Sequence, residues 1–139
     1  MVQLIVGNKG KGKTKVILDK VNTEVKDTTG NVVYLDKDTA HMFELNNKVR
    51  LINVSDYDIS NPDQFVGFVG GIISQDHDLE EMFLDCFLKI AKAEEKDIVP
   101  TILAIEKLSD KYNVNVIVSV TIDSDNIPAE LKDKVIVAL

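Results

Sequence analysis

The chain has 139 residues, 45% of them hydrophobic, and a mean hydropathy of zero, the balance of a single globular domain with a real core. A net charge of −7 argues against a basic nucleic-acid-binding surface, and a lone cysteine, Cys86, excludes an internal disulfide. The longest apolar stretch, residues 65–74, is far short of the roughly 20 residues that span a membrane. One domain covering residues 1–139 is expected. Strand-like sequence from the start, with no signal peptide, and a single cysteine point to the cytoplasm.

Val2-Gln3-Leu4-Ile5-Val6 is a short apolar run of the kind that buried parallel strands show. Directly after it, Gly7-Asn8-Lys9-Gly10-Lys11-Gly12-Lys13-Thr14 spells G-x-x-x-x-G-K-[ST], the phosphate-binding loop. Without side chains at Gly7, Gly10 and Gly12, the backbone can curl round an anion and aim successive N–H groups at it. Ile17, Leu18, Val21 and Val25 recur at helical spacing, so a helix starting near Lys13 adds its positive N-terminal end. In such a loop Lys13 reaches the β- and γ-phosphates, and the Thr14 hydroxyl takes one position on Mg²⁺. Lys9, Lys11, Lys13 and Lys15 concentrate positive charge in seven residues of an acidic chain, which suits a polyphosphate.

Asn31 to Leu35 reads as a second strand after a Thr28-Thr29-Gly30 turn, residues 39–45 as a short helix, and Val49 to Val54 as a third strand. Ser60-Asn61-Pro62 has a capping side chain and a proline suited to the first helical position. The helix it opens carries Phe65, Val66, Phe68, Val69, Ile72 and Ile73 as a core face, with Gly67, Gly70 and Gly71 read as points of close packing. Glu81 to Asp85 is an apolar strand ending in a carboxylate, and residues 91–97 are charged and expected to be exposed. A helix follows Pro100 with Ile102, Ile105 and Leu108 inward. Val114 to Thr121, the longest β-branched run, is expected at the sheet centre. Pro128 opens a last short helix, and Lys134 to Leu139 is a final strand. Alternating strands and helices predict an α/β fold, a mostly parallel sheet covered on both faces.

A phosphate-binding loop works with a carboxylate at a neighbouring strand end, which holds the Mg²⁺ shell. Asp85, after Met82-Phe83-Leu84, is the candidate. Asp36 and Asp38, following the second strand, are candidate water-activating carboxylates. Ser119, Thr121 and Asp123, at the end of the long strand, are candidate γ-phosphate sensors. His41 and His77 have no metal-ligand spacing with Cys86 and read as surface residues. No glutamate follows Asp85, and Arg50 is the sole arginine, read either as a salt-bridged structural residue or as a catalytic one. Arginine on the transferring phosphoryl group is worth about 10³–10⁵ in rate. Slow or partner-dependent turnover is therefore expected. The guanine-reading N-K-x-D motif is absent, since Asn47-Lys48-Val49-Arg50 lacks its aspartate, so adenine is the default base.

The strand, the G-N-K-G-K-G-K-T loop and the helix resemble the P-loop NTPase superfamily. With Asp85 as its Walker B carboxylate and a β-branched strand ending at Thr121, the layout is similar to the branch with an extra strand between those of the P-loop and Walker B. The whole chain also resembles small bacterial ATP-binding proteins sometimes labelled twitching-motility ATPases. It lacks the catalytic glutamates and the histidine and aspartate boxes of those motors. The resemblance implies a three-layer P-loop NTPase fold in one minimal domain. It implies ATP and Mg²⁺ as ligands, Gly7 to Thr14 as the polyphosphate cradle, and Lys13 and Asp85 as the catalytic pair, with Thr14 and Asp85 on the metal. Weak or partner-regulated ATP hydrolysis, as a switch or an assembly subunit, is the leading expectation, with a protein partner or a homo-oligomer implied. A small phosphotransferase and a non-hydrolysing, nucleotide-stabilised adaptor are the alternatives.

Overall fold

The apolar runs become six strands in the computed structural model, which describes residues 1–139: β1 (Val2–Gly7), β2 (Asn31–Asp36), β3 (Val49–Asn53), β4 (Leu79–Leu84), β5 (Asn115–Thr121) and β6 (Val135–Ala138). All pair in parallel, in the order β3-β2-β4-β5-β1-β6. The long β-branched strand β5 is thus interior, lying between β1 and β4 as the resemblance implied. Parallel strands need crossovers, and four helices lie in three of the five: α1 (Lys13–Glu24) after β1, α2 (Pro62–Ser74) after β3, and α3 (Phe87–Ile90) with α4 (Ile98–Tyr112) after β4; the other two run through 3₁₀ turns. No helix is long and apolar enough to cross a membrane.

Strand alternation divides the core in two. On one face Ile5, Val32, Tyr34, Phe83 and Ile117 pack against Ile17, Leu18 and Val21 of α1. On the other, Leu4, Leu35, Leu84 and Val118 join the buried sides of α2 and α4 in the larger cluster. Tyr34 and Phe83 stack at 6.4 Å on the α1 side, and Phe65 meets Phe87 edge-on at 6.2 Å on the other. Helix α2 forms as its sequence predicts: Asn61 Oδ1 accepts from the Gln64 amide, Pro62 opens the first turn, and Phe65, Val69 and Ile73 are buried.

Four expectations need correcting. Residues 39–45 form only a 3₁₀ turn at Met42–Glu44, because no apolar face recurs there and Phe43 is 92% exposed. Gly67 and Gly71 face open space rather than a close neighbour, and only Gly70 approaches a side chain, Leu108 at 3.8 Å. The segment 91–97 is not wholly exposed: Ala91 is fully buried, and Glu95–Asp97 form a 3₁₀ turn closed by reciprocal capping of Glu94 and Asp97. Helix α4 starts at Ile98, two residues before Pro100, which its first turn accommodates because the missing N–H is not needed there. The short helix α3 was not anticipated.

Candidate functional site

The glycine-rich loop leaves β1 at Gly7 and enters α1 at Lys13. Gly10 (φ +85°) and Gly12 (φ +91°) adopt left-handed backbone that side chains resist. At Gly7 the constraint is space instead: a Cβ there would lie 3.0 Å from Leu139 Cβ. Helix α1 has no side-chain cap and no acidic residue in its first turn, so its N-terminal N–H groups face the loop unopposed. Lys13, only 9% exposed, donates from Nζ to the carbonyls of Gly7 (2.8 Å) and Asn8 (3.0 Å). Burial lowers its pKa, while Cys86 and Asp85 favour the charged form.

Register brings the second half of the site level with the loop. Leu35 pairs with Leu84, and Leu84 with Val118, so Asp36, Asp85 and Ser119 come one step later along neighbouring strands. Alternation puts them on the α1 face, above Tyr34, Phe83 and Ile117. Asp85 is almost wholly buried and accepts four donors. Thr14 Oγ1 reaches its Oδ2 at 3.1 Å, as does the Tyr34 hydroxyl at 2.9 Å; Ser119 Oγ (2.5 Å) and the Cys86 amide (3.0 Å) reach Oδ1. The Cys86 amide also donates to Ser119 Oγ at 2.9 Å, helped by an unusual left-handed conformation at Cys86 (φ 58°). Burial, then Asp85 itself, raises the Tyr34 pKa and keeps the phenol a donor.

Asp36 is the least satisfied group of the site. It is 1% exposed; Oδ1 accepts the Lys37 amide at 2.7 Å, but Oδ2 is buried without a partner. Burial pushes its pKa up to about 6 against the pull of that amide. Ligand atoms of Asp36, Asp85 and Cys86 lie within 4.8 Å of one another. Burial and Asp85 push the Cys86 thiol up to about 11, so it is a neutral, soft group at physiological pH. The hard oxygens of Thr14, Asp85 and Asp36 are the ones whose chemistry fits Mg²⁺.

Thr14, Asp85 and Cys86 border a cleft of about 630 Å³, within the usual range for small-molecule sites, with Lys9, Lys13, Lys37 and Lys89 on its walls and Asp36 buried behind Asp85 and Lys37 rather than lining it. Ser119 and Thr121 line it; Asp123 instead accepts from Asn8 Nδ2 at 3.2 Å, bracing the loop from outside. Asp38 turns to Lys37 and the Ala40 amide. Lys11 and Lys15 are exposed, as is His77, whereas His41 is half-buried and meets Glu44. Arg50 is exposed on the edge strand β3 and makes no ion pair, so its expected salt bridge is absent, and it does not line the cleft. Sequence reading missed Tyr34, Lys37 and Lys89. Tyr34 had a signal, because it sits two residues before Asp36 and so shares its face.

No family model matches the chain, and no curated protein matches it. Solved structures do. A KaiC-like protein from the hyperthermophilic archaeon Pyrococcus horikoshii OT3 superposes with a TM-score of 0.67 at 14% identity, over 95% of this chain and 67% of that one. The flagellar accessory protein FlaH from Methanocaldococcus jannaschii gives 0.60 at 12% identity, over 92% of this chain and 63% of that one. The chain therefore spans about two thirds of the length of these neighbours. At such identities the likeness shows the fold alone, an α/β architecture around a six-stranded parallel sheet.

Proposed function

We propose that the chain binds ATP with Mg²⁺ through Gly7 to Thr14 and hydrolyses it slowly, as a switch or a subunit of an assembly. One observation carries the reading. Thr14 at the start of α1 is hydrogen-bonded to Asp85, which three further donors fix in place beside the loop. Lys13 exchanges its contacts with the loop carbonyls for phosphate oxygens, and Thr14 with Asp85 holds the metal. When bound, Mg²⁺ neutralises charge on the phosphates. Asp36, with an unpartnered oxygen at the same strand edge, is the group suited to accept the proton of an attacking water. With no glutamate after Asp85 and no arginine in the cleft, no guanidinium meets the transition-state charge, which supports slow turnover. The cytoplasm, with its supply of Mg·ATP, suits this role.

Calorimetric titration tests the site. Losing a charge-assisted contact costs about 1.5–3 kcal/mol, so Lys13→Ala should weaken Mg·ATP binding roughly 10- to 150-fold. Unchanged affinity would refute the assignment, and release of many phosphates per second by the isolated protein would refute slow turnover. A second reading, phosphoryl transfer, gains support from a neighbouring cleft of about 760 Å³ that shares Lys37, Leu88 and Lys89 with the first. Label passing from γ-labelled ATP to an added acceptor rather than to water would favour it.

A further inference from the structure

Asp36, Asp85 and Cys86 meet because β2 and β4 are neighbours whose ends lie level, Leu35 pairing with Leu84. One oxygen from each carboxylate and the Cys86 Sγ lie within 4.8 Å of one another. Both aspartates are 1% exposed, and Cys86 is half-buried. The Cys86 amide, bonded to Asp85 Oδ1 and Ser119 Oγ, fixes the thiol beside them.

This cluster is short of positive charge. Four donors meet Asp85, but Asp36 has only the Lys37 amide on Oδ1, and its Oδ2 is buried without a partner. The nearby ammonium groups are spent elsewhere. Lys37 Nζ goes to Asp38 at 3.2 Å, and Lys13 Nζ to the carbonyls of Gly7 and Asn8. A buried carboxylate oxygen with no donor calls for a proton or a cation. The thiol decides which class of cation fits all three groups. Mg²⁺ takes hard oxygens, whereas zinc and its borderline-soft relatives bind thiolate and carboxylate together, four-coordinate. Zn–S and Zn–O bonds of about 2.3 and 2.0–2.2 Å match ligand atoms clustered on this scale. Asp85 and Cys86 line the nucleotide cleft, so an ion has a route in and a fourth position open toward it.

We propose that Asp36, Asp85 and Cys86 form a site for a zinc-type divalent cation that, when filled, withholds Asp85 from the Mg²⁺ of Mg·ATP. As the S–Zn bond forms, the Cys86 S–H proton passes to solvent. The withholding rests on the nucleotide reading; occupancy by the ion does not. Occupancy is tested by cobalt titration of chelator-treated, nucleotide-free protein, followed by absorption. Cys86 is the only cysteine, so a sulfur-to-cobalt charge-transfer band reports its thiol alone. A band saturating at one cobalt per chain, and erased by an equivalent of zinc, is expected. Cys86→Ser should abolish it, and Asp36→Asn should weaken cobalt binding more than about 10-fold, the loss that even an outer-shell partner causes. No band in the unmodified protein, or an undiminished one in Asp36→Asn, would overturn the site. One zinc per chain, with Mg²⁺ in excess, should also weaken ATP binding about 10-fold in the unmodified protein, the loss of a metal contact. Cys86→Ser should escape this effect, each protein being compared with its own zinc-free affinity. Equal affinity with and without zinc would overturn the withholding. Failure to bind Mg·ATP at all would instead sink the nucleotide reading, with the cobalt band still deciding the ion site.

Discussion

Asp85 draws four donors onto two oxygens, and of these Tyr34 and Ser119 are buried and the Cys86 amide is fixed by the backbone, so removing one of the buried hydroxyls leaves nothing to take its place. Tyr34→Phe keeps the ring stacked on Phe83 but removes the hydroxyl. A hydrogen bond to a charged group is worth about 1.5–3 kcal/mol, and a loss of that size is expected in urea unfolding. Glu81, buried near the start of β4 at the opposite edge of the sheet, makes a different prediction. Burial and then Glu24 raise the Glu81 pKa, with Glu80 adding to them and Lys20 opposing. A carboxyl that holds its proton more tightly folded than unfolded stabilises the fold below its ordinary range. That stability is lost as pH climbs toward the raised value. Tm should therefore fall as pH rises from about 4.5 through neutrality, and Glu81→Gln should flatten this fall.

Helix α2 shows which elements local chemistry can specify. Its start was legible because a cap, a proline and an apolar face all lie within a dozen residues of one another. Its glycines were misread, since periodicity reveals which side a residue faces but not whether anything stands opposite. Gly67 and Gly71 face open space on an exposed helix surface. Alanine there gains helix propensity without a clash, so each substitution should raise stability by about 0.5–1 kcal/mol in thermal or urea unfolding. Residues 39–45 failed for the converse reason: helix-forming residues were present, but no core was there to receive Met42 and Phe43. Helix α3 is a single turn, too short for any period to register.

At the level of the whole molecule, the candidate site is built from four segments far apart in the chain: Gly7–Thr14, Tyr34–Asp36, Asp85–Cys86 and Ser119. The first was legible because all its chemistry is local. Asp85 could be nominated from a strand end. The convergence of Tyr34, Ser119 and the Cys86 amide on it depends on sheet order and register, which local sequence does not fix. Phe83 lies beneath that convergence, fully buried between Tyr34 and α1. Phe83→Ala should cost about 3–5 kcal/mol of stability. It should also weaken Mg·ATP binding without touching the ligand, a coupling that denaturant and calorimetric titrations can read together.

The close approach at Gly7 has a practical consequence. The Leu139 amide is tied to the Val6 carbonyl at 2.9 Å, and its side chain presses where a Gly7 Cβ would stand. Residue 139 therefore rests against the first residue of the glycine-rich loop. A fluorophore placed at Leu139 would sit against Gly7, and its emission should change when Mg·ATP is added. A bulkier side chain at the same position would press on the loop where it leaves β1.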